Sequence, residues 1–150
     1  MGGILPAIGG NIRVGNSETF VTEACEYTNS FLSFFPKISI ILNMDADHLD
    51  FFKDIDDIRH SFRRFAQLLP ADGALIINAD TPHYQDIIKD LSCKIITYGL
   101  EHEAQYQATD ITYDKYGHAS FTVLKDGRKA GSFYLKVPGS HNVSNALAAI

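Results

Sequence analysis

Three apolar runs of strand length, separated by two amphipathic stretches, narrow most what this chain can become. Ile38-Ser39-Ile40-Ile41-Leu42, Ala74-Leu75-Ile76-Ile77-Asn78 and Lys94-Ile95-Ile96-Thr97-Tyr98 are each close to continuously apolar. Such runs suit strands covered on both faces, as in a parallel sheet, where the in–out alternation of a half-exposed strand is lost. Between the first two, Ile55, Ile58, Phe62, Phe65 and Leu69 recur at helical spacing, with Lys53, Asp57, Arg59, Arg63 and Arg64 off that stripe. Between the second and third, Tyr84, Ile87, Ile88 and Leu91 line a shorter helical face, with Thr81 as N-cap and Pro82 in the first turn. Pro70-Ala71-Asp72-Gly73 and Gly99 stop the elements before them. The order β-α-β-α-β predicts an α/β fold, a mostly parallel sheet flanked by helices and joined by right-handed crossovers.

The pattern changes near Glu101. Tyr106–Tyr113, His118–Leu124 and Lys129–Val137 read as strands, separated by Asp114-Lys115-Tyr116-Gly117 and Lys125-Asp126-Gly127-Arg128. Those separators are hairpin turns, so a small antiparallel β meander is expected on the parallel sheet. Pro138-Gly139 breaks it, and Ser140 or Asn142 then caps a closing helix. The predicted division is about 1–100 parallel, 101–138 antiparallel and 139–150 the start of a helix. Near the opening, Thr19-Phe20-Val21-Thr22 is β-branched and aromatic, and reads as a strand running into Glu23 beside 38–43.

Composition excludes several classes. The 150 residues are 45% hydrophobic and 21% charged, enough for one domain with a core. The formal charge is −5 and no run of Lys or Arg occurs, which argues against nucleic acid or an anionic membrane as a partner. No apolar run approaches the roughly 18 residues of a membrane span. The opening residues lack a basic stretch followed by a long apolar one, so no secretory leader is expected. Cys25 and Cys93 make neither a disulfide framework nor a metal knuckle, and reduced thiols fit a cytoplasmic protein; Cys25 reads as a small core residue. The chain opens inside a glycine-rich stretch and closes barely two turns into a helix, which reads as a piece of a longer enzyme.

The densest candidate chemistry is Asn43-Met44-Asp45-Ala46-Asp47-His48-Leu49-Asp50, directly after a buried strand. Ligands of open α/β sheets bind beyond the carboxyl ends of the strands, so this loop invites a metal or a phosphate-bound metal. An acidic turn capping the next helix is the plainer alternative. Glu23 faces the same crevice if its strand lies beside the first apolar run. Carboxylates favour Mg²⁺ and imidazole favours Zn²⁺ or other transition metals, so residue type leaves the metal open. The opening GGILPAIGGNIRVG carries Asn11 and Arg13 among glycines that let backbone approach an anion, but it has no GK[ST] and is no Walker A loop. In Gly139-Ser140-His141-Asn142-Val143-Ser144-Asn145, Asn142 and Asn145 share one face near a helix N-terminus. Their amides suit a base edge or an anion, or plain capping. His60, His83, His102 and His118 read as surface or helix residues.

GGNIRVG, TEACEYTNSFL, IILNMDADHLDFF and PGSHNVSNALAAI, in that order and spacing, resemble the Mur ligases of peptidoglycan synthesis. The likeness is strongest to the branch that joins L-alanine to UDP-N-acetylmuramate. It implies a central ATP-binding domain of P-loop-NTPase type, with a Walker A loop preceding this stretch. It also implies separate domains holding the UDP sugar and closing over ATP. The implied reaction is ATP-dependent amide formation through an acyl phosphate. Under the resemblance Glu23 is a ligand of the Mg²⁺ that bridges the nucleotide phosphates, His48 is a ligand of a second Mg²⁺ near the acyl phosphate, and Asn11 lies close to the transferred phosphate. Asn142 and Asn145, with His141 beside them, contact the adenine of ATP. Asp47 and Asp50 would orient His48, while Cys25, Glu26 and Tyr27 receive no role. The 150 residues alone are expected to be inactive. A murein-peptide-recycling ligase and a non-catalytic nucleotide-binding module of the same fold are the alternatives.

Overall fold

The computed structural model describes residues 4 and 6–150; Gly2, Gly3 and Leu5 of the glycine-rich opening lie outside the described residues. Six strands form one sheet in sequence order: β1 (Ile38–Ile41), β2 (Ala74–Asn78), β3 (Lys94–Gly99), β4 (Tyr106–Tyr113), β5 (His118–Lys125) and β6 (Arg128–Pro138). The first three junctions are parallel and the last two antiparallel. The expected mostly parallel sheet with an antiparallel extension is therefore what the chain forms.

Helix α1 (Ile55–Ala66) forms where the apolar stripe lies, burying Ile58, Phe65 and Ala66. Asp54 caps it, its carboxylate accepting from the amides of Asp56 and Asp57, and Arg63 and Arg64 sit at the carbonyl end, matching the helix dipole. Helix α2 (Tyr84–Ile88) is shorter than its stripe. Thr81 does not cap it: His83, in the left-handed region at φ 60°, occupies the N-cap, and Thr81 is buried with its carbonyl accepting from the Tyr84 amide. Both helices cover one face of β1–β3, where Ile41, Leu75 and Ile77 meet Ala66, Leu69 and Ile87. Helix α3 (Ser140–Ala149) covers the opposite face, seating Val143, Leu147 and Ala148 on Tyr98, Ala108, Ala119, Phe121 and Val123. Its N-cap is Gly139, not the side chain of Ser140 or Asn142. At φ 104°, and with a Cβ there landing 2.6 Å from the His141 ring, only glycine fits.

Three further expectations are corrected. Residues 19–22 form no strand; Phe20 and Val21 are 85% and 87% exposed. β-propensity reports packing on a pleated neighbour, and among the described residues β1 pairs only with β2. β1 is covered on one face, since Ile38 and Ile40 remain 62% and 48% exposed on the side where α3 lies. Cys25 is exposed, whereas Cys93 is buried as expected of a small apolar side chain. No helix among the described residues is long and apolar enough to cross a membrane.

Candidate functional site

The carboxyl ends of β1, β2 and β3 open onto one edge, and the polar residues beyond them gather there. After β1, the 43–50 loop is stiffened by its own carboxylates. Asn43 Nδ2 donates to Asp45 Oδ2 at 3.2 Å, and the His48 amide donates to Asp47 Oδ1 at 2.7 Å. His48 sits at φ 54°, and its carbonyl accepts from the amides of Phe51 and Phe52, turning the chain sharply toward α1. Its Nε2 lies 3.4 Å from Glu26 Oε1 and 4.0 Å from Asp47 Oδ2, and its side chain is 34% exposed.

Glu26 and Tyr27, which sequence reasoning left without a role, are therefore the neighbours of His48. The Tyr27 ring centroid is 4.7 Å from that of His48, and its hydroxyl donates to Asp50 Oδ2 at 2.7 Å. That hydrogen bond, with the carboxylate's charge, raises the Tyr27 pKa above the ordinary phenol value. Asp50 thus reaches His48 through Tyr27, while Asp47 touches it directly. Position 27 is far in sequence from 48, and no local pattern announces such a contact. Glu23 lies exposed in the irregular segment that leads to Glu26, and Asn11 is exposed after the short 3₁₀ turn Pro6–Ile8.

After β2 and β3 lies a second polar cluster. Asp80 accepts from the amides of Leu100 (2.6 Å), His102 (2.8 Å) and Glu101 (3.1 Å), and from His102 Nδ1 (3.0 Å). Parallel neighbours usually need a crossover of a dozen or more residues. β3 and β4 are joined by 100–105 alone because they overlap at just two pairs, Tyr98 with Tyr106 and Gly99 with Gln107. Asp80 holds that tight connection. Burial pushes its carboxyl up, but the amides of Leu100 and His102, the His102 ring and the Glu101 amide outweigh this and leave the pKa below the ordinary value. Tyr98 is buried, and its hydroxyl lies 3.4 Å from the carbonyls of both Ile41 and Leu42. Burial pushes its pKa up to about 12, with the Ser144 hydrogen bond pulling back and the Asp80 charge adding to the rise.

The lowered Asp80 pKa fixes a sign. Its stabilisation is complete above the unfolded value of about 3.9 and is lost as pH falls through the lower folded value. Asp80→Ala is expected to cost about 2–3 kcal/mol at pH 7, since several amides lose a charged acceptor. Melts should show a deficit of about 5–10 °C at pH 7 that narrows by pH 3. A deficit that stays constant across that range would show that the carboxylate is not the cause.

Helix α3 borders the same edge. Asn142 is half-buried and donates from Nδ2 to the Pro138 carbonyl at 2.7 Å; Asn145 and His141 are exposed. Among the described residues no three His, Cys, Asp or Glu side chains are grouped as a metal cage. The carboxylates beside His48 are the hard oxygen donors that Mg²⁺ takes, whereas the imidazole is the less usual donor for that ion.

Fold and site define an α/β domain whose parallel strands end, on their carboxyl side, between an acidic His-bearing loop and a helix N-terminus. The chain belongs to the Mur ligase middle domain family, whose model matches residues 5–150. A UDP-N-acetylmuramate–L-alanine ligase of Lachnospira eligens is 56% identical over 100% of this chain and 33% of its own length. One of the same name from Agathobacter rectalis is 57% identical with the same coverage. The chain thus spans about a third of the length of these curated relatives. A crystal structure of a UDP-N-acetylmuramate:L-alanyl-gamma-D-glutamyl-meso-diaminopimelate ligase from Neisseria meningitides is 30% identical. It superposes with a TM-score of 0.65 over 79% of this chain and 35% of that one.

Proposed function

We propose that these residues form the ATP-handling middle domain of a cytoplasmic ligase that joins L-alanine to UDP-N-acetylmuramate in peptidoglycan precursor synthesis. The observation that carries this is the 56–57% identity, across the whole chain, to relatives of that name. In the proposed reaction the sugar's lactyl carboxylate attacks the γ-phosphate of ATP, releasing ADP and forming an acyl phosphate. The L-alanine amine then attacks the acyl carbon and phosphate leaves. Catalysis of such a transfer is mainly positioning and charge neutralisation.

The residues take the following roles. Glu23 would hold one Mg²⁺ and His48 a second, ions that when bound neutralise phosphate charge. Asp47 would orient His48 together with Glu26, both carboxylates lying near Nε2, and the Tyr27 ring packs on the imidazole. Asn11 would donate to the transferred phosphate. Asn142 and Asn145, with His141, would form the adenine side on α3, where a helix N-terminus also favours negative charge. Flanking domains and a phosphate-binding loop would come from the rest of the enzyme.

The test is phosphate release by the full-length protein with ATP, Mg²⁺ and UDP-N-acetylmuramate, with L-alanine or the L-alanyl-γ-D-glutamyl-meso-diaminopimelate tripeptide as amine. Release that depends on L-alanine is expected, in the usual enzyme range of about 1–10³ s⁻¹, with none from the 150 residues alone. Release that depends on the tripeptide instead would assign the recycling reaction, the second reading that the Neisseria likeness supports. Nucleotide binding without release would mark a non-catalytic module.

A further inference from the structure

We propose that Asn78 is a positioning residue whose side-chain amide ties the end of β1, the turn after β2 and helix α3 into one unit. This rests on the functional reading above, which puts His48 on the loop after β1 and the adenine side on α3.

Asn78 ends β2, and asparagine is a poor strand former. The sheet's own hydrogen bonds are backbone bonds and do not require it. Its side chain makes three contacts in three directions. Nδ2 donates to the Leu42 carbonyl at 3.1 Å and faces Ser144 Oγ at 3.4 Å. Oδ1 accepts from the Asp80 amide at 2.9 Å. Leu42 directly follows β1 and precedes the 43–50 loop, so its carbonyl is the last anchored point before that loop begins. Ser144 stands between Asn142 and Asn145 on α3. The Tyr98 hydroxyl, 3.4 Å from the Leu42 carbonyl, supports the same point from β3.

The chemistry of the amide explains the residue type. A short side chain that donates twice and accepts once is asparagine alone: aspartate accepts only, and serine brings a single hydrogen. Each proposed half of the site is thereby held one or two residues from a shared anchor. A shift of the loop drags on the helix, and a shift of the helix drags on the loop.

The experiment uses the full-length protein with Asn78→Asp, which keeps the Asp80 contact and loses both donors, and Ser144→Ala, which cuts the helix arm together with the Ser144–Tyr98 hydrogen bond but leaves the Asn78 bond to the Leu42 carbonyl. For Asn78→Asp the ATP KM and the Mg²⁺ half-saturation should both rise about 5-fold or more, the lower range of measured site couplings. For Ser144→Ala the ATP KM should rise and the Mg²⁺ requirement stay. Amide hydrogen exchange should increase in both 43–50 and 140–146 in Asn78→Asp, with β2 and β3 still protected. If Asn78→Asp fails to fold, Asn78→Ser, which retains one donor, carries the same comparison. A rise in one constant without the other, or faster exchange confined to β2, overturns the proposal. A wild type that releases no phosphate overturns the functional reading alone, because the exchange comparison still decides the positioning role.

Discussion

Replacing His48 by alanine in the full-length protein is expected to lower kcat about 10²–10³-fold, at saturating Mg²⁺, while moving the melting temperature only slightly. The magnitude is that of removing one group that stabilises transition-state charge, roughly 2.7–4 kcal/mol. The small stability effect follows from the site. The imidazole is 34% exposed, packs on the Tyr27 ring and pairs with Glu26 at 3.4 Å, a contact of the partly exposed kind worth little in folding. The backbone complicates the reading, because His48 sits at φ 54°. His48→Asn, a residue type that tolerates the left-handed region, separates backbone strain from the lost ring. Both variants should lose kcat alike. Glu23→Ala should fall in the same range, for its carboxylate is the proposed ligand of the other Mg²⁺. Near-wild-type kcat in His48→Ala and Glu23→Ala would remove the Mg²⁺ assignment from both residues.

The parts of the fold visible in the sequence are those whose cause is local. β1, β2, β3 and α1 follow from runs and stripes of apolar residues, and each lies within a residue or two of its expected span, apart from the last turn of α1's stripe. The β5–β6 hairpin follows from turn chemistry. Asp126 and Gly127 sit at φ 49° and 74°, the paired positive values that a tight hairpin demands and that Asp-Gly supplies. Where the cause is long-range, the sequence misleads. Thr19–Val21 has the composition of a strand without a partner strand. Thr81 has the chemistry of a cap, yet it is buried at the β2 edge and leaves the cap to His83.

The candidate site divides the same way. That something polar gathers after β1 follows from a buried run ending in Asn43–Asp50. The same logic applied to Asn78-Ala79-Asp80 after β2 would have pointed to the second cluster, since a carboxylate directly following a buried strand needs partners. What holds Asp80, the amides of Leu100, Glu101 and His102, comes from a loop twenty residues on and carries no side-chain signature. Glu26 and Tyr27 were invisible for a similar reason. They reach His48 because the 3₁₀ segment Tyr27–Ser33 packs against α1, through Phe31 stacked on Phe65 at 4.7 Å. Aromatic packing far from the loop thereby decides which side chains surround the imidazole.

Leu147→Ala is expected to have the largest effect on stability among single changes in α3, costing about 2–5 kcal/mol and about 5–15 °C. Most helical stability in proteins comes from tertiary packing of an apolar face, so packing must hold this helix. That packing is narrow. Val143, Leu147 and Ala148 are buried on the sheet, whereas Ile150, which the helical spacing also predicts to pack there, is 47% exposed. Ile150→Ala in the 150-residue chain should therefore stay within about 0.5 kcal/mol of wild type, the ordinary range for a surface change. In the full-length protein Leu147→Ala should also raise the ATP KM, because the proposed adenine side, Asn142 and Asn145, rides on the helix that Leu147 seats. Melts of both variants with the ATP KM decide it. If Ile150→Ala cost as much as Leu147→Ala, the helix would be held by its last turn rather than by its middle. A normal ATP KM in a destabilised Leu147→Ala would detach the adenine from α3.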